Sequence, residues 1–197
     1  MYMATKFLQQ KNEKGFALLM TLIVVGVLIS IGLAVLDLSI KQVRLSTNAK
    51  ESETAFHAAN AGVECARYIR RIASTTMEAG GNISPVCFSA SPDTNNHSQM
   101  ITGVNGMGTA YLYKYSFSWG AKPRCSKVST IVMVADPAGA GLKISNMSSW
   151  LEGYPGGEIK TCAAGERCTI LASYGYNRSC SSASGYGSVE REVLLQF

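Results

Sequence analysis

The run Phe16 to Leu36, 21 consecutive residues without a charge, constrains this chain more than any other feature. As a helix rising about 1.5 Å per residue it spans about 32 Å, enough to cross a hydrocarbon core of about 30 Å. A short leader carrying Lys6, Lys11 and Lys14 precedes it and ends at Gly15. Secretory signal peptides have a different order, a shorter apolar region followed by a small-x-small cleavage site. Here the basic residues meet a Gly-Phe junction and the apolar block lies after it. A cut between Gly15 and Phe16, made on the basic, cytoplasmic side, leaves the membrane helix on the product. Uncut, the same pattern describes a signal anchor holding an outside domain.

The segment after the apolar run keeps the helical signal. From Asp37 to about Ala73 there is no proline, and Gly62 is the sole glycine. Leu45, Ala49, Ser52, Phe56, Ala59, Val63 and Ala66 recur in steps of three and four, which places them on one helical stripe. Lys41, Arg44, Lys50, Glu51, Glu53 and Arg67 fall off that stripe. One helix is therefore predicted to run on from the membrane segment, its outer half packing onto a globular domain. The leader with its Gly15-Phe16 junction resembles the class III leader of type IV pilins and type II secretion pseudopilins. The text Ala55-Phe56-His57-Ala58-Ala59-Asn60-Ala61 resembles the Ala-Phe-x-Ala-Ala-Glu-Ala signature of PilX-type minor pilins, with Asn60 in place of the glutamate. The resemblance covers roughly the first 70 residues.

The remainder reads as a β-rich domain. Thr109 to Trp119 alternates, with Tyr111, Tyr113, Tyr115, Phe117 and Trp119 on one face and Leu112, Lys114, Ser116 and Ser118 on the other. That period of two predicts a half-buried strand. Gly120 to Pro123 has turn chemistry. Lys127 to Ala135 is nearly continuously apolar and suits a central strand. Thr169 to Tyr176 and Val189 to Phe197 complete four predicted strands, the last docking the final residues in the sheet. The fold class expected is α+β, a long N-terminal helix packed on an antiparallel sheet. Its parts are a leader at 1–15, a membrane-spanning half at 16–36, an extended helix at 37–78 and a disulfide-linked head at 79–197. Ala79 to Gly108 reads as a linking loop. Asp136 to Arg167, rich in glycine, reads as 30 residues of weak structure with a short strand near Leu142 to Met147, the sort of loop that carries contact specificity.

The net charge of +5 falls to +3 without residues 1–15, too mild and scattered to argue for nucleic acid. Arg70-Arg71 is the densest basic spot and reads as a solvated helix face. All six cysteines, Cys65, Cys87, Cys125, Cys162, Cys168 and Cys180, follow the apolar run, which points to three disulfides in an oxidising compartment. If 128–135 and 169–176 are antiparallel neighbours, Cys125 lies beside Cys180. Cys162 and Cys168 then close the loop between, leaving Cys65 to tie Cys87. A zinc site is the rival reading, weakened by the absence of a Cys-x-x-Cys pair and by a total of two histidines.

No nucleophile motif, phosphate loop or metal-ligand cluster stands out, and no enzyme and no cofactor are expected. His57 falls beside the helical stripe, where a structural or subunit-contact role is commoner than catalysis, and His97 falls in a polar loop. Asp93, Asn95 and Asn96 have calcium-ligand chemistry but read as a turn. Glu64 with Arg67, and Glu190 with Glu192, read as surface charge. In the membrane segment Gly26, Ser30 and Ala34 form a small-residue ladder that lets helices approach closely.

The resemblance implies a structural subunit cut between Gly15 and Phe16 by a prepilin peptidase, methylated, and drawn by an inner-membrane platform into a helical filament of similar subunits. Phe16, Met20, Gly26, Ser30 and Ala34 then belong to the assembly helix. It implies a single-pass cytoplasmic-membrane precursor and, later, an extracellular pilus or periplasmic pseudopilus. Major pilins carry a glutamate where this chain has Met20, so a minor, tip or priming subunit is expected. A divergent major pilin, an adhesin or DNA-uptake module gripping a surface ligand or nucleic acid through 136–167, and an anchored envelope enzyme remain as alternatives.

Overall fold

The computed structural model describes residues 10–92, 98–155 and 159–197, with side chains of the first helix from Gly15 onward. The chain divides into two units, Met1–Ala49 and Lys50–Phe197. A single helix, α1 (Gln10–Ile72), runs through both. Its share of the first unit, from Gly15, is exposed throughout.

In the second unit α1 forms one wall of an α+β domain. The helix ends at Ile72, and α2 (Ser74–Glu78) follows as a separate short turn after Ala73. The unbroken helix expected over 37–78 is thus two helices. α2 places Met77 in the core between α1 and the sheet, where it is buried.

Among the described residues eight strands follow: β1 (Gln99–Met100), β2 (Asn105–Gly106), β3 (Gly108–Trp119), β4 (Arg124–Ala135), β5 (Leu142–Ile144), β6 (Lys160–Cys162), β7 (Arg167–Tyr176) and β8 (Glu190–Gln196). The main antiparallel sheet has the order β1-β3-β4-β7-β8. β3 and β4 form a twelve-pair hairpin from Gly108↔Ala135 to Trp119↔Arg124. Hydrogen bonds between Thr169 and Phe197 carry the β7–β8 ladder to the last residue. Four of these strands are the ones the alternation predicts, with ends shifted by up to three residues.

The face of the main sheet toward α1 is covered, and the opposite face is covered over its Leu112 half while Lys114 and Lys127 stay exposed. Tyr113, Tyr115 and Phe117 pack with Val128, Val132, Leu171 and α1 on one side. On the other side Ala110, Leu112, Ile131, Met133 and Ile170 pack against Leu142, Ile144, Met147 and Leu151. Those last four come from the glycine-rich 136–167 stretch, where a short strand was expected near Leu142 to Met147 and β5 is found. β2, from the expected linking loop at 79–108, completes a second sheet, β2-β5-β6. Beyond β5 the 136–167 stretch also holds β6 and a 3-10 turn, Met147–Ser149. Its glycines serve the turns: Gly141 has φ +93, and a Cβ there would lie 2.6 Å from the Cys162 carbonyl oxygen. Burial of four large side chains stabilises this layer at about 1.5–3 kcal/mol each, more than short strands alone supply.

The expected stripe holds in part: Ala59, Val63 and Ala66 are buried, joined by Ala55, Ala58, Gly62, Cys65 and Ile69, whereas Phe56 and Leu45 are exposed. The sheet comes too close for a large side chain. A Cβ on Gly62 would meet Ser173 Oγ at 2.1 Å, and one on Gly175 would meet the Ala59 nitrogen at 2.0 Å. Small residues on both elements allow this approach, and a relay locks it. Trp119 Nε1 donates to Ser126 Oγ (3.0 Å), and Ser126 Oγ donates to the Ala58 carbonyl (2.7 Å).

Candidate functional site: the exposed apolar helix

Residues 15–36 form a helix whose apolar side chains have no cover within the chain. Phe16 is 64% exposed and Met20 49%, and every residue through Leu36 is in the exposed class. Among the described residues one helix is long and apolar enough to cross a membrane, with a mean hydropathy of 2.8 in its most apolar window and none of that window buried. A contiguous apolar surface of this size marks contact with lipid or with another apolar surface.

The polar atoms in this stretch are satisfied locally. Thr21 Oγ1 donates to the Leu18 carbonyl and Ser30 Oγ to the Gly26 carbonyl, each at 2.8 Å. Such back-bonding lowers the cost of placing a hydroxyl in hydrocarbon. Ser30 thereby folds onto the backbone beside Gly26, and with Ala34 it leaves a shallow, small-residue face. The glycines there have no reason within the chain. A Cβ on Gly15, Gly26 or Gly32 would meet nothing within 4 Å, in contrast to Gly62 and Gly175. In an exposed helix each glycine costs about 1 kcal/mol relative to alanine.

The three disulfides in the head are Cys65–Cys87, Cys125–Cys180 and Cys162–Cys168, the set that the strand-neighbour argument selects. β4 and β7 are indeed antiparallel neighbours, with Cys125 opposite Tyr176. Cys162 and Cys168 lie close to Glu166, but their sulfurs are bonded to each other and present no thiolate to a metal.

Several other expectations change. Arg70 is not a solvated cation. Its guanidinium is 11% exposed and bonds Glu78 at 2.7 Å and Thr169 Oγ1 at 3.0 Å, and Arg167 reaches the same carboxylate at 2.9 Å. Glu64 and Arg67 do pair on the surface, at 3.2 Å. His57 is exposed, 3.6 Å from Glu53, and faces away from the core. Glu190 and Glu192 are exposed, as expected of surface charge; partial desolvation, with Glu190 and Glu152 nearby, raises the Glu192 carboxyl above its ordinary value. Burial, followed by the Tyr111 charge, pushes the Tyr113 hydroxyl up to about 12. That hydroxyl lies 3.0 Å from the Met77 carbonyl and 3.1 Å from that of Gly81, anchoring α2 to β3. The leader lysines Lys6, Lys11 and Lys14, the Asp93-Asn95-Asn96 run, His97, and Gly156 and Gly157 lie outside the described residues and side chains.

Sequence reasoning overlooked Ala55, Ala58 and Gly62 as part of the buried face of α1, and the Arg70–Glu78–Arg167 network. The first had a signal, since these residues share a helical face with Ala59 and Ala66, but the larger Phe56 and Leu45 outweighed it. The second depends on partners distant in sequence. Comparison with protein-family models, with curated proteins and with solved structures finds no match for this chain.

Proposed function

We propose that this protein is a type IV pilin-like structural subunit, stored in a membrane by residues 16–36 and assembled into a filament through the same helix. The carrying observation is an apolar helix with no cover inside the chain that continues, unbroken, into the wall of a disulfide-tied head. Gly26 and Gly32, unexplained by any intrachain contact, support close approach of like helices. The Gly15-Phe16 junction after a basic leader supports cleavage that leaves this helix at the new N-terminus. The protein acts by packing rather than by catalysis.

Met20 supports a minor, tip or priming role. A carboxylate at that position neutralises a neighbour's N-terminal amine in an apolar filament interior, where an unpaired charge is costly. A subunit lacking it suits a place where that pairing is not required.

Mass spectrometry of the protein purified from its native membrane tests the reading. The expected mature chain begins at Phe16, and Gly15→Val is expected to leave the precursor uncut. A chain that begins upstream of Phe16, or that has lost residues 16–36, overturns the proposal.

A further inference from the structure

Residues 37–49 close the first unit of the chain. They lie past the uncharged run and carry Asp37, Lys41 and Arg44, charges that are costly in hydrocarbon. The same stretch displays Leu38, Ile40, Val43 and Leu45, each 54% to 72% exposed, and every residue in it is exposed. Large apolar side chains thus stand outside the lipid with no cover inside the chain.

These side chains do not share a face. Successive residues of an α-helix turn by about 100°, so Leu38 and Ile40 stand about 160° apart around the axis. Leu36, Ile40, Val43 and Thr47, in steps of four, three and four, form one stripe. Leu38, Leu45 and Ala49, in steps of seven and four, form a second on the opposite side, level with the first along the axis. One band between the stripes gathers Asp37, Lys41, Arg44 and Asn48, and the other holds Ser39, Gln42 and Ser46. Polar groups in and between the stripes are bonded within the helix. Lys41 Nζ pairs with Asp37 at 2.7 Å. Thr47 Oγ1 donates to the Val43 carbonyl and Ser39 Oγ to the Val35 carbonyl, each at 2.9 Å.

We propose that residues 37–49 are held outside the lipid between two further copies of this chain, one against each stripe. The inference rests on assembly through α1 and extends it, since it carries the contact past the membrane segment and fixes two partners. A lipid surface takes up one face of a helix, and a single partner helix covers one seam. Either leaves the other stripe in water. Two flanking helices cover both, closing over the Ser39, Gln42 and Ser46 band, where no charge is buried, while the charged band stays wet. The partners are copies because the two stripes are different, uncharged and level. The first stripe of one copy meets the second stripe of the next, a heterologous contact that repeats along a row of subunits. A cluster of such copies is compatible with a priming place for the subunit.

The test uses the full chain in its native membrane, with Val43→p-benzoylphenylalanine, Leu45→p-benzoylphenylalanine or Lys41→p-benzoylphenylalanine, illuminated and run on denaturing gels. The first two variants are expected to give a ladder of cross-linked trimers and higher species. Mass spectrometry is expected to join position 43 to the 38–49 stripe of another copy and position 45 to its 36–47 stripe. The Lys41 variant, in the charged band, is expected to give little product. Dimers alone, cross-links only to lipid or to another protein, or a Lys41 variant as reactive as the others overturn the two-sided contact. The N-terminus of the same sample separates this from the pilin reading. A ladder from chains that begin upstream of Phe16 upholds the row of helices and overturns that reading, and dimers from chains that begin at Phe16 do the reverse.

Discussion

Gly175→Ala probes the closest approach of helix α1 to the sheet among the described glycines. The added methyl would lie 2.0 Å from the Ala59 nitrogen, 2.1 Å from the Ala55 oxygen and 2.7 Å from the Ala58 carbonyl carbon. All three are backbone atoms of α1, so no side-chain rotation relieves the clash. Ordinary contact begins near 3.4 Å, which requires the helix and strand to separate locally by about 1.4 Å. A gap of about 0.5–1 Å already forfeits a quarter to a half of the dispersion contact of the atoms facing it. Overpacking of this kind costs about 1–3 kcal/mol, and stretching the Ser126–Ala58 hydrogen bond adds about 1 kcal/mol. The expected loss is about 2–4 kcal/mol, or about 10 °C in thermal midpoint for a unit of this size. Unfolding of the full chain in detergent, followed by tryptophan fluorescence, reads it directly, because Trp119 donates to the same Ser126. Gly26→Ala is the matched control. Nothing lies within 4 Å of its Cβ, so the head should unfold at the wild-type temperature. A Gly175→Ala midpoint within about 1 kcal/mol of wild type would refute the close-approach account of why this face of α1 carries alanine and glycine.

Met20→Glu tests the subunit's place in a filament: immunogold labelling is expected to shift from sparse and terminal towards the shaft, and dense wild-type shaft labelling would contradict a minor role. Glu78→Ala strands the nearly buried Arg70 beside Thr169 and should cost about 2–3 kcal/mol in urea unfolding. Arg167→Ala, removing the exposed partner of the same carboxylate, should cost about 1 kcal/mol or less. Glu192→Gln addresses pH. Because the folded carboxyl is raised, the native state holds its proton more tightly than the unfolded chain, so its contribution is complete at acid pH and is lost as pH rises through the folded value. The variant should therefore be more stable than wild type at pH 7, and its advantage should vanish as pH falls below the ordinary carboxylate range. An unchanged difference across that window would contradict burial as the cause.

The features legible in the chain are those whose signal is local. An uncharged run of helical length needs no partner to be recognised, and strand alternation at Thr109 to Trp119 follows from the pleat alone. Cysteine pairing was also accessible, because it requires only the adjacency of two strands, a coarse property of topology. The Phe56 stripe misled because a large side chain dominates an apolar pattern whether or not a surface has room for it. The glycine-rich 136–167 stretch was legible only in part: Leu142 and Ile144 alternate within β5, whereas Met147 and Leu151 lie in and after a turn and carry no strand period.

From residue order alone follow the exposed apolar helix, its continuation towards Ala73, the four principal strands and the α+β class. Each rests on backbone periodicity, a property of neighbours in the chain. Only the tertiary structure decides which face of α1 meets the sheet, that a second layer covers the Leu112 half of the far side, and that Arg70 is held by Glu78. Those outcomes depend on the register of β3 against β4 and on the separation of α1 from β7. Register and separation are set by steric fit between residues far apart in sequence, and no local pattern encodes them.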